Sequence, residues 1–100
     1  MRDGAGAAVS LEALKREVCR AVDARSESLT AVAREIHAHP ELAFEEHRAA
    51  ALLVATLRSE GIAVEAGCYG LATAFESRSG DAGPTVALLA EYDAAAGGAW

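Results

Sequence analysis

The chain has 100 residues, and 15 acidic residues against 9 basic ones give it a formal net charge of −6. It lacks the basic surface that nucleic acid or anionic membranes require, so its charge argues against both classes of partner. Its apolar runs are too short to cross a bilayer. Although 52% of the residues are hydrophobic, 25 of them are alanine, which adds little buried area. We therefore expect one domain with a thin core.

The N-terminal segment, residues 1–9, is rich in glycine and alanine, and we expect it to form a flexible tail. It does not combine a basic stretch with a long apolar one, as a secretory signal would. The two cysteines, Cys19 and Cys68, form no C-x-x-C pair. This cysteine usage fits a reducing, cytoplasmic setting.

One long amphipathic helix is predicted over 11–36. Ser10 is a suitable N-cap residue, and apolar residues recur after it at helical spacing as far as Ile36. Pro40 should end this helix, because the residue before a proline avoids the helical region. Such a helix would be about 39 Å long, whereas a compact domain of this size has a radius of gyration of only about 13 Å. We therefore expect the chain to be the front of a larger fold.

A second helix is predicted over 43–60. Glu45 and Glu46 suit its first turn, where the helix dipole favours negative charge. Gly61 suits the position just after its last residue, because glycine adopts a left-handed backbone without a steric penalty.

Three short strands are predicted after these helices, over 62–64, 71–76 and 85–92. The last of them, TVALLAEY, is almost continuously apolar, which is typical of a strand buried on both faces. The turn-rich stretch 77–84 should join the last two strands as a loose hairpin. The predicted fold class is therefore α/β, with two helices followed by three strands.

A cluster of histidine and glutamate residues follows the first helix and is a candidate metal site. Its members are His37, His39, Glu41, Glu45, Glu46 and His47. The cluster contains neither an H-E-x-x-H motif nor a pair of thiolates, so its spacing is not typical of a zinc site. The spacing favours a structural interpretation, in which His37 and His39 stabilise the C-terminal end of the first helix and Glu45 and Glu46 the start of the second.

The second candidate is Glu91-Tyr92-Asp93, at the C-terminal end of the most apolar predicted strand. In open α/β sheets this end of the strands binds ligands. A carboxylate there can orient a histidine that binds a metal. Asp93 could equally well begin a turn, and spacing alone leaves both interpretations open.

These motifs together resemble a known family. The block IHAHPELAFEEHRAAALLVATLRSEGIAV, then GLATAFE, then GPTVALLAEYDA, follow one another as in zinc-dependent amidohydrolases and peptidases related to aminoacylase, carboxypeptidase G and aminobenzoyl-glutamate hydrolase. The resemblance covers residues 11–94. The last two blocks look most like the members that act as aminobenzoyl-glutamate hydrolases or β-alanyl-lysine dipeptidases.

The resemblance implies the first, incomplete part of a phosphorylase/hydrolase-like zinc-peptidase catalytic domain over residues 10–94. Family enzymes hold two divalent ions, zinc or a related metal, that activate a bridging water against an amide carbonyl, with a glutamate as general base. Asp93 matches the family aspartate that orients the metal site without binding the metal. Glu91 and Tyr92 match neighbouring motif positions. The block from His37 to Glu41 matches a segment to which we assign structural work.

The chain departs from the family after Asp93. Family members continue with D-A-L-P and then G-x-C-G-H, whose cysteine and histidine are metal ligands, whereas this chain continues with AAAGGAW. We therefore expect a divergent tail over 95–100, no metal ligand and no general base in the chain, and no activity from these residues alone. We expect amide or dipeptide substrates and a homodimer for the complete enzyme.

Two alternatives remain at this stage. The chain could be a small helical-hairpin interaction module whose first helix is a docking surface, or a non-functional gene fragment that folds only in part. The segment TVALLAEY distinguishes these alternatives from the enzyme. A strand buried on both faces favours the enzyme, because two helices in a chain of this size hardly cover both faces. On its own the chain should be marginally stable or prone to aggregate.

Overall fold

The structure, a computed structural model, describes residues 10–95. This part of the chain contains three helices and one small antiparallel sheet. In chain order the elements are α1 (Leu11–Ala24), α2 (Ser26–Ala38), α3 (His47–Ser59), β1 (Glu65–Ala66), a 3-10 turn (Cys68–Gly70) and β2 (Phe75–Glu76). The mixed α/β class is confirmed, but the prediction of two helices and three strands is wrong. The predicted tail over 1–9, and the predicted divergent tail beyond Ala95, lie outside the described residues.

The chain divides into two compact units, one ending at Ala31 and the other starting at Val32. In the first unit, α1 begins as predicted, because the Ser10 side chain accepts the amide N–H of Ala13 at 3.1 Å. The apolar stripe of α1 is exposed, with Leu11, Leu14, Val18 and Val22 between 44% and 64% accessible to solvent.

The single helix predicted over 11–36 is wrong, because Arg25 interrupts it. The backbone of Arg25 has φ −106° and ψ 8°, and its amide donates to the carbonyl oxygen of Val22, three residues back, at 3.0 Å. Its guanidinium donates to the carbonyl oxygen of Ala21 at 2.8 Å. The apolar spacing conceals this break, because Leu29 follows Val22 at a distance of two helical turns.

In the second unit, α3 begins at His47 and not at residue 43. It ends as predicted, because Gly61 adopts φ +80°. The amide of Gly61 donates to the carbonyl oxygen of Arg58 at 3.0 Å, and that of Ile62 to Leu57 at 3.1 Å. This pair of bonds is a Schellman motif, which satisfies carbonyl groups that the helix itself leaves free.

The sheet is one short hairpin, in which Glu65 pairs with Glu76 and Ala66 with Phe75. The strand predicted over 62–64 therefore lies instead at 65–66, and the strand predicted over 71–76 is shortened to 75–76. The connecting loop turns sharply at Gly67, whose φ is +72° and whose amide donates to the carbonyl oxygen of Ala74 at 2.7 Å. The predicted hairpin across 77–84 does not form.

The doubly buried strand predicted over 85–92 is also wrong. These residues have no regular secondary structure, and Val86, Leu88 and Leu89 are 83%, 97% and 95% exposed. An apolar sequence is buried only where other elements cover it, and no helix or strand within 10–95 covers this one. After this segment, Ala94 forms an isolated parallel bridge with Leu42.

The core of the described residues is thin, as the alanine content predicts. Its buried side chains are Ala49, Val54, Cys68, Thr73 and Ala94, and no large side chain is fully buried. Within residues 10–95, no helix is both long enough and apolar enough to span a membrane.

Candidate functional site

Three sequence blocks that are far apart in the chain meet at one polar site in the second unit. These are the HPELAFEE block, the LATAFE block and the EYDA block. Thr73 bonds to Glu46 and to Tyr92, and the backbone of Glu41 bonds to Ala94, two residues after Tyr92. We call Glu41, Glu46, Thr73 and Tyr92 the junction cluster.

Glu41 stabilises the N-terminus of α3 with its carboxylate. Its Oε2 accepts the amide N–H of Arg48 at 2.9 Å, and its Oε1 accepts that of Ala49 at 2.8 Å. The first amides of a helix have no partner within the helix, so a carboxylate that accepts two of them acts as a strong cap. The backbone carbonyl of Glu41 also accepts the amide N–H of Ala94 at 2.7 Å. One residue therefore joins α3 to the EYDA block.

Glu46 differs from its predicted role. It occupies the N-cap position of α3 but makes no capping hydrogen bond with its side chain. Its Oε1 instead accepts the hydroxyl of Thr73 at 2.9 Å. Thr73 is only 7% exposed, so this bond satisfies a buried polar group that would otherwise be costly.

Tyr92 closes the junction cluster. Its hydroxyl donates to the carbonyl oxygen of Thr73, and its ring stacks on Phe75 with centroids 5.9 Å apart. Burial raises the pKa of the Tyr92 phenol, and the nearby negative charges of Glu46 and Glu41 raise this pKa further. The phenol therefore stays protonated and remains a hydrogen-bond donor.

Asp93 lies between two anchored residues. Tyr92 on one side is held by Thr73, and Ala94 on the other is held by Glu41. Asp93 itself is half-buried, and its carboxylate makes no hydrogen bond or ion pair with another residue of the described part. The backbone is thus fixed around a carboxylate that remains available.

The histidine block forms helix-end contacts. The Nδ1 atom of His39 lies 3.1 Å from the carbonyl oxygen of Glu35, near the C-terminus of α2, which agrees with the structural interpretation of this histidine. The carboxylate of Glu35 also accepts the guanidinium of Arg48 at 2.6 Å. This bond to Arg48 lowers the pKa of Glu35, and the charge of His39 lowers it further.

Comparison with known proteins places the chain among hydrolases. It is 40% identical to Xaa-Arg dipeptidase of Mus musculus over 91% of its own length, and 36% identical to a subunit of p-aminobenzoyl-glutamate hydrolase of Escherichia coli (strain K12) over 87%. It is 43% identical to thermostable carboxypeptidase 1 of Saccharolobus solfataricus over 63%. The chain belongs to the amidohydrolase and peptidase family of these proteins. The resemblance seen in the sequence motifs is confirmed.

The chain spans 23%, 18% and 16% of the length of these three relatives, or about a fifth. No protein-family model matches the chain, and no solved structure matches it at a significant level. Family membership therefore rests on the similarity of the sequence to these relatives.

The described residues do not fit a metal ion as its ligands. No group of three or more histidine, cysteine, aspartate or glutamate side chains within 10–95 has a geometry that could hold one. A shallow groove of about 740 Å³ lies between α3 and the hairpin, but Asp93 is not part of its lining.

Sequence reasoning missed most of the junction cluster. The sequence predicts Glu41 only as part of a structural block and Glu46 only in a first helical turn. It carries no prediction for Thr73, and it marks Tyr92 only as a neighbour of Asp93. The order of the three blocks is the sequence signal that could reveal this cluster. Each block contributes a polar side chain, which needs a hydrogen-bond partner once it is buried.

Proposed function

We propose that the chain forms part of the catalytic segment of a metal-dependent hydrolase of amide or peptide bonds. The substrate classes we propose are N-acyl amino acids, dipeptides and aminobenzoyl-glutamate-like molecules. Family membership supports the reaction class, and the names of the dipeptidase and the aminobenzoyl-glutamate hydrolase among the relatives support these substrates.

The observation that carries this proposal is the position of Asp93. A half-buried carboxylate on a fixed backbone, with no partner in the described residues, suits a group that accepts the ring N–H of a metal-binding histidine. Because the residues 10–95 offer no metal site of their own, the metal ligands would come from residues outside this range. We therefore propose that Asp93 orients a ligand and does not bind the metal.

The test uses the longest natural polypeptide that contains this chain. Asp93→Asn keeps the shape of the side chain and removes its charge, and we expect it to lower kcat about 10–100-fold, the usual cost of losing such a partner. Asp81→Asn, an exposed aspartate, is the control and should leave activity unchanged. Suitable substrates are p-aminobenzoyl-glutamate, a dipeptide ending in arginine, and an N-acetyl amino acid. Full activity of the Asp93→Asn enzyme on all three would refute the role of Asp93.

Metal dependence has its own test. Zinc is the metal implied by the family resemblance, and we expect a chelator to abolish hydrolysis by the longest polypeptide and added zinc to restore it. The 100-residue chain alone should contain no stoichiometric zinc by elemental analysis and should not hydrolyse these substrates. Hydrolysis that survives the chelator would refute metal dependence, and bound zinc in the 100-residue chain would refute the expectation that its ligands lie elsewhere.

We also propose that the complete enzyme is a homodimer in the cytoplasm. The dimer rests on the family resemblance alone, and the cytoplasmic setting rests on cysteine usage. In the structure Cys68 is a buried free thiol, and Cys19 is an exposed one. Light scattering of the longest polypeptide tests the first proposal, and cell fractionation tests the second.

A second candidate function is an interaction module, favoured by the exposed apolar stripe of α1. Leu11 and Val18 on this stripe are 64% and 60% exposed. If docking through α1 were the function, Val18→Asp would abolish association with a partner while leaving hydrolysis by the longest polypeptide intact. If α1 instead packs within the complete enzyme, the same change would destabilise the enzyme itself.

A further inference from the structure

We infer that Glu41 is a positioning residue for Asp93, coupling the N-terminus of α3 to the backbone on which the aspartate sits. This inference rests on the proposed function where it concerns activity, but its structural part can be tested alone. It assigns to Glu41 a role that goes beyond capping a helix.

Glu41 is attached at two points, through its side chain and through its backbone. Its two carboxylate oxygens accept the amides of Arg48 and Ala49, and its backbone carbonyl accepts the amide of Ala94. The side chain therefore fixes where the residue lies relative to α3. The carbonyl of the same residue then fixes where Ala94 lies, so a shift of the carboxylate moves the acceptor of Ala94.

Ala94 is 4% exposed and follows Asp93 directly. Its bridge partner is Leu42, the residue after Glu41. The amide that donates to Glu41 belongs to the peptide bond between Asp93 and Ala94. The plane of that peptide bond, and with it the backbone of Asp93, is therefore set by the Glu41 carbonyl.

The chain on the N-terminal side of Asp93 is largely exposed. The stretch before Tyr92, including Leu88 and Leu89, is exposed and without regular structure. The EYDA block consequently depends on two attached residues: Tyr92, which bonds to Thr73 and stacks on Phe75, and Ala94, which bonds to Glu41. Loss of either one should loosen the aspartate, because little else in the described part restrains this stretch.

Glu45 provides a matched control. It lies in the same block, is exposed, and makes no side-chain hydrogen bond or ion pair with another described residue. Glu41→Gln and Glu45→Gln remove the same charge and keep nearly the same shape. Each change replaces one carboxylate oxygen by an NH₂ group, which cannot accept an amide proton, but only at Glu41 do both oxygens accept backbone amides.

The structural test is amide hydrogen exchange of the full 100-residue chain by NMR. In the Glu41→Gln chain we expect the Arg48, Ala49 and Ala94 amides all to exchange at least about fivefold faster, the size of effect expected from losing a helix cap. In the Glu45→Gln chain these three amides should not change. Faster exchange at Arg48 and Ala49 with an unchanged Ala94 amide would show a local cap only and would overturn the inference.

The amide of Gly67, which bonds within the hairpin, reports whether the unit as a whole has loosened. If it also exchanges faster in the Glu41→Gln chain, the comparison is repeated with Glu41→Asp. That variant keeps the charge but shortens the side chain. Faster exchange of the Ala94 amide with unchanged exchange of the Gly67 amide would support the inference. Equal acceleration of both amides in this milder variant would overturn the inference.

The functional test uses the longest natural polypeptide with the substrates named above. We expect Glu41→Gln to lower kcat about tenfold with KM unchanged, and Glu45→Gln to change neither. When Glu41→Gln is combined with Asp93→Asn, kcat should fall no further than with Asp93→Asn alone, because both changes act through the Asp93 carboxylate. If Asp93→Asn has no effect, the proposed role of Asp93 fails while the exchange result stands. If only Glu41→Gln has no effect, the inference fails.

Discussion

The ring of Tyr92 stacks on the ring of Phe75, with the centroids 5.9 Å apart and the planes 28° from parallel. This contact brings the EYDA block onto β2, and it places the Tyr92 hydroxyl at the carbonyl oxygen of Thr73. An aromatic pair of this kind contributes about 1 kcal/mol beyond the area it buries. The residues of the site thus pack around the partly buried phenol of Tyr92.

The first prediction concerns the titration of Tyr92. Burial and then the charges of Glu46 and Glu41 raise its pKa, so the folded chain keeps the phenol protonated at a pH where the unfolded chain has lost the proton. Its contribution to stability is therefore complete below about pH 10, the pKa of an ordinary tyrosine, and is lost as the pH rises through the higher pKa of the folded chain. We expect Tyr92→Phe to flatten the fall in Tm above pH 10, measured by circular dichroism.

The chain has two tyrosines, so the titration of Tyr92 can be isolated. The second, Tyr69, donates to Glu76 at 2.5 Å, and this bond raises its pKa as well. In a Tyr69→Phe chain the absorbance of tyrosinate reports Tyr92 alone, and its midpoint should lie above about 10. A midpoint at or below this value would show that the phenol is not held as the structure has it.

The second prediction concerns acid stability. The hydrogen bond from Arg48 lowers the pKa of Glu35, and the charge of His39 lowers it further. The stabilisation is therefore present above the pKa of an ordinary glutamate, about 4.3, and is lost as the pH falls through the lower pKa of the folded chain. We expect Glu35→Gln to reduce the drop in Tm between neutral pH and about pH 3.

This acid effect should be modest, because the Glu35 side chain is 43% exposed and solvent screens the pair. Glu45→Gln removes an equal charge without breaking a hydrogen bond, so it is the control for the loss of one negative charge. High salt should shrink the difference between the two variants. Identical profiles for both variants at low salt would contradict the assignment to Glu35.

Features fixed by neighbouring residues could be predicted from the sequence. Ser10 caps α1 and Gly61 ends α3, because each depends on the backbone within one helical turn. The break at Arg25 escaped prediction, since a one-residue interruption leaves the apolar stripe in phase.

The junction cluster escaped prediction for a different reason. Contacts such as Thr73 to Glu46 join residues far apart in the chain, and periodicity carries no information about them. The segment that contains Leu88 shows the opposite error, a predicted burial that the structure does not have. Its composition predicts burial, but burial depends on covering elements that the described residues do not supply.

The third prediction tests the end of α3. Gly61 has φ +80°, and no atom within 4 Å would obstruct an added Cβ, so a substitution there meets backbone strain but no clash. We expect Gly61→Ala to cost about 1 kcal/mol and to lower Tm by about 4–8 °C. Gly61→Asn should cost less, because asparagine tolerates the left-handed region. An unchanged Tm for Gly61→Ala would mean that the Schellman turn does not form in solution.

The fourth prediction concerns the exposed apolar segment. Leu88 is 97% exposed, so Leu88→Lys removes no buried contact and should change the free energy of unfolding by less than about 0.5 kcal/mol. It should nevertheless reduce self-association, because an extended apolar stretch with unpaired backbone groups is a template for pairing with another chain. Analytical ultracentrifugation over a range of chain concentrations measures this effect.

Ser79→Lys is the control for charge, since it adds one positive charge at an exposed position in the connecting stretch. If apolar surface drives association, Leu88→Lys suppresses it and Ser79→Lys does not. Equal suppression by both variants would mean that the net charge of the chain decides instead. If neither variant changes the sedimentation of an associating parent chain, another surface is responsible, and the exposed stripe of α1 is then the next candidate to test, with Val18→Lys as the variant.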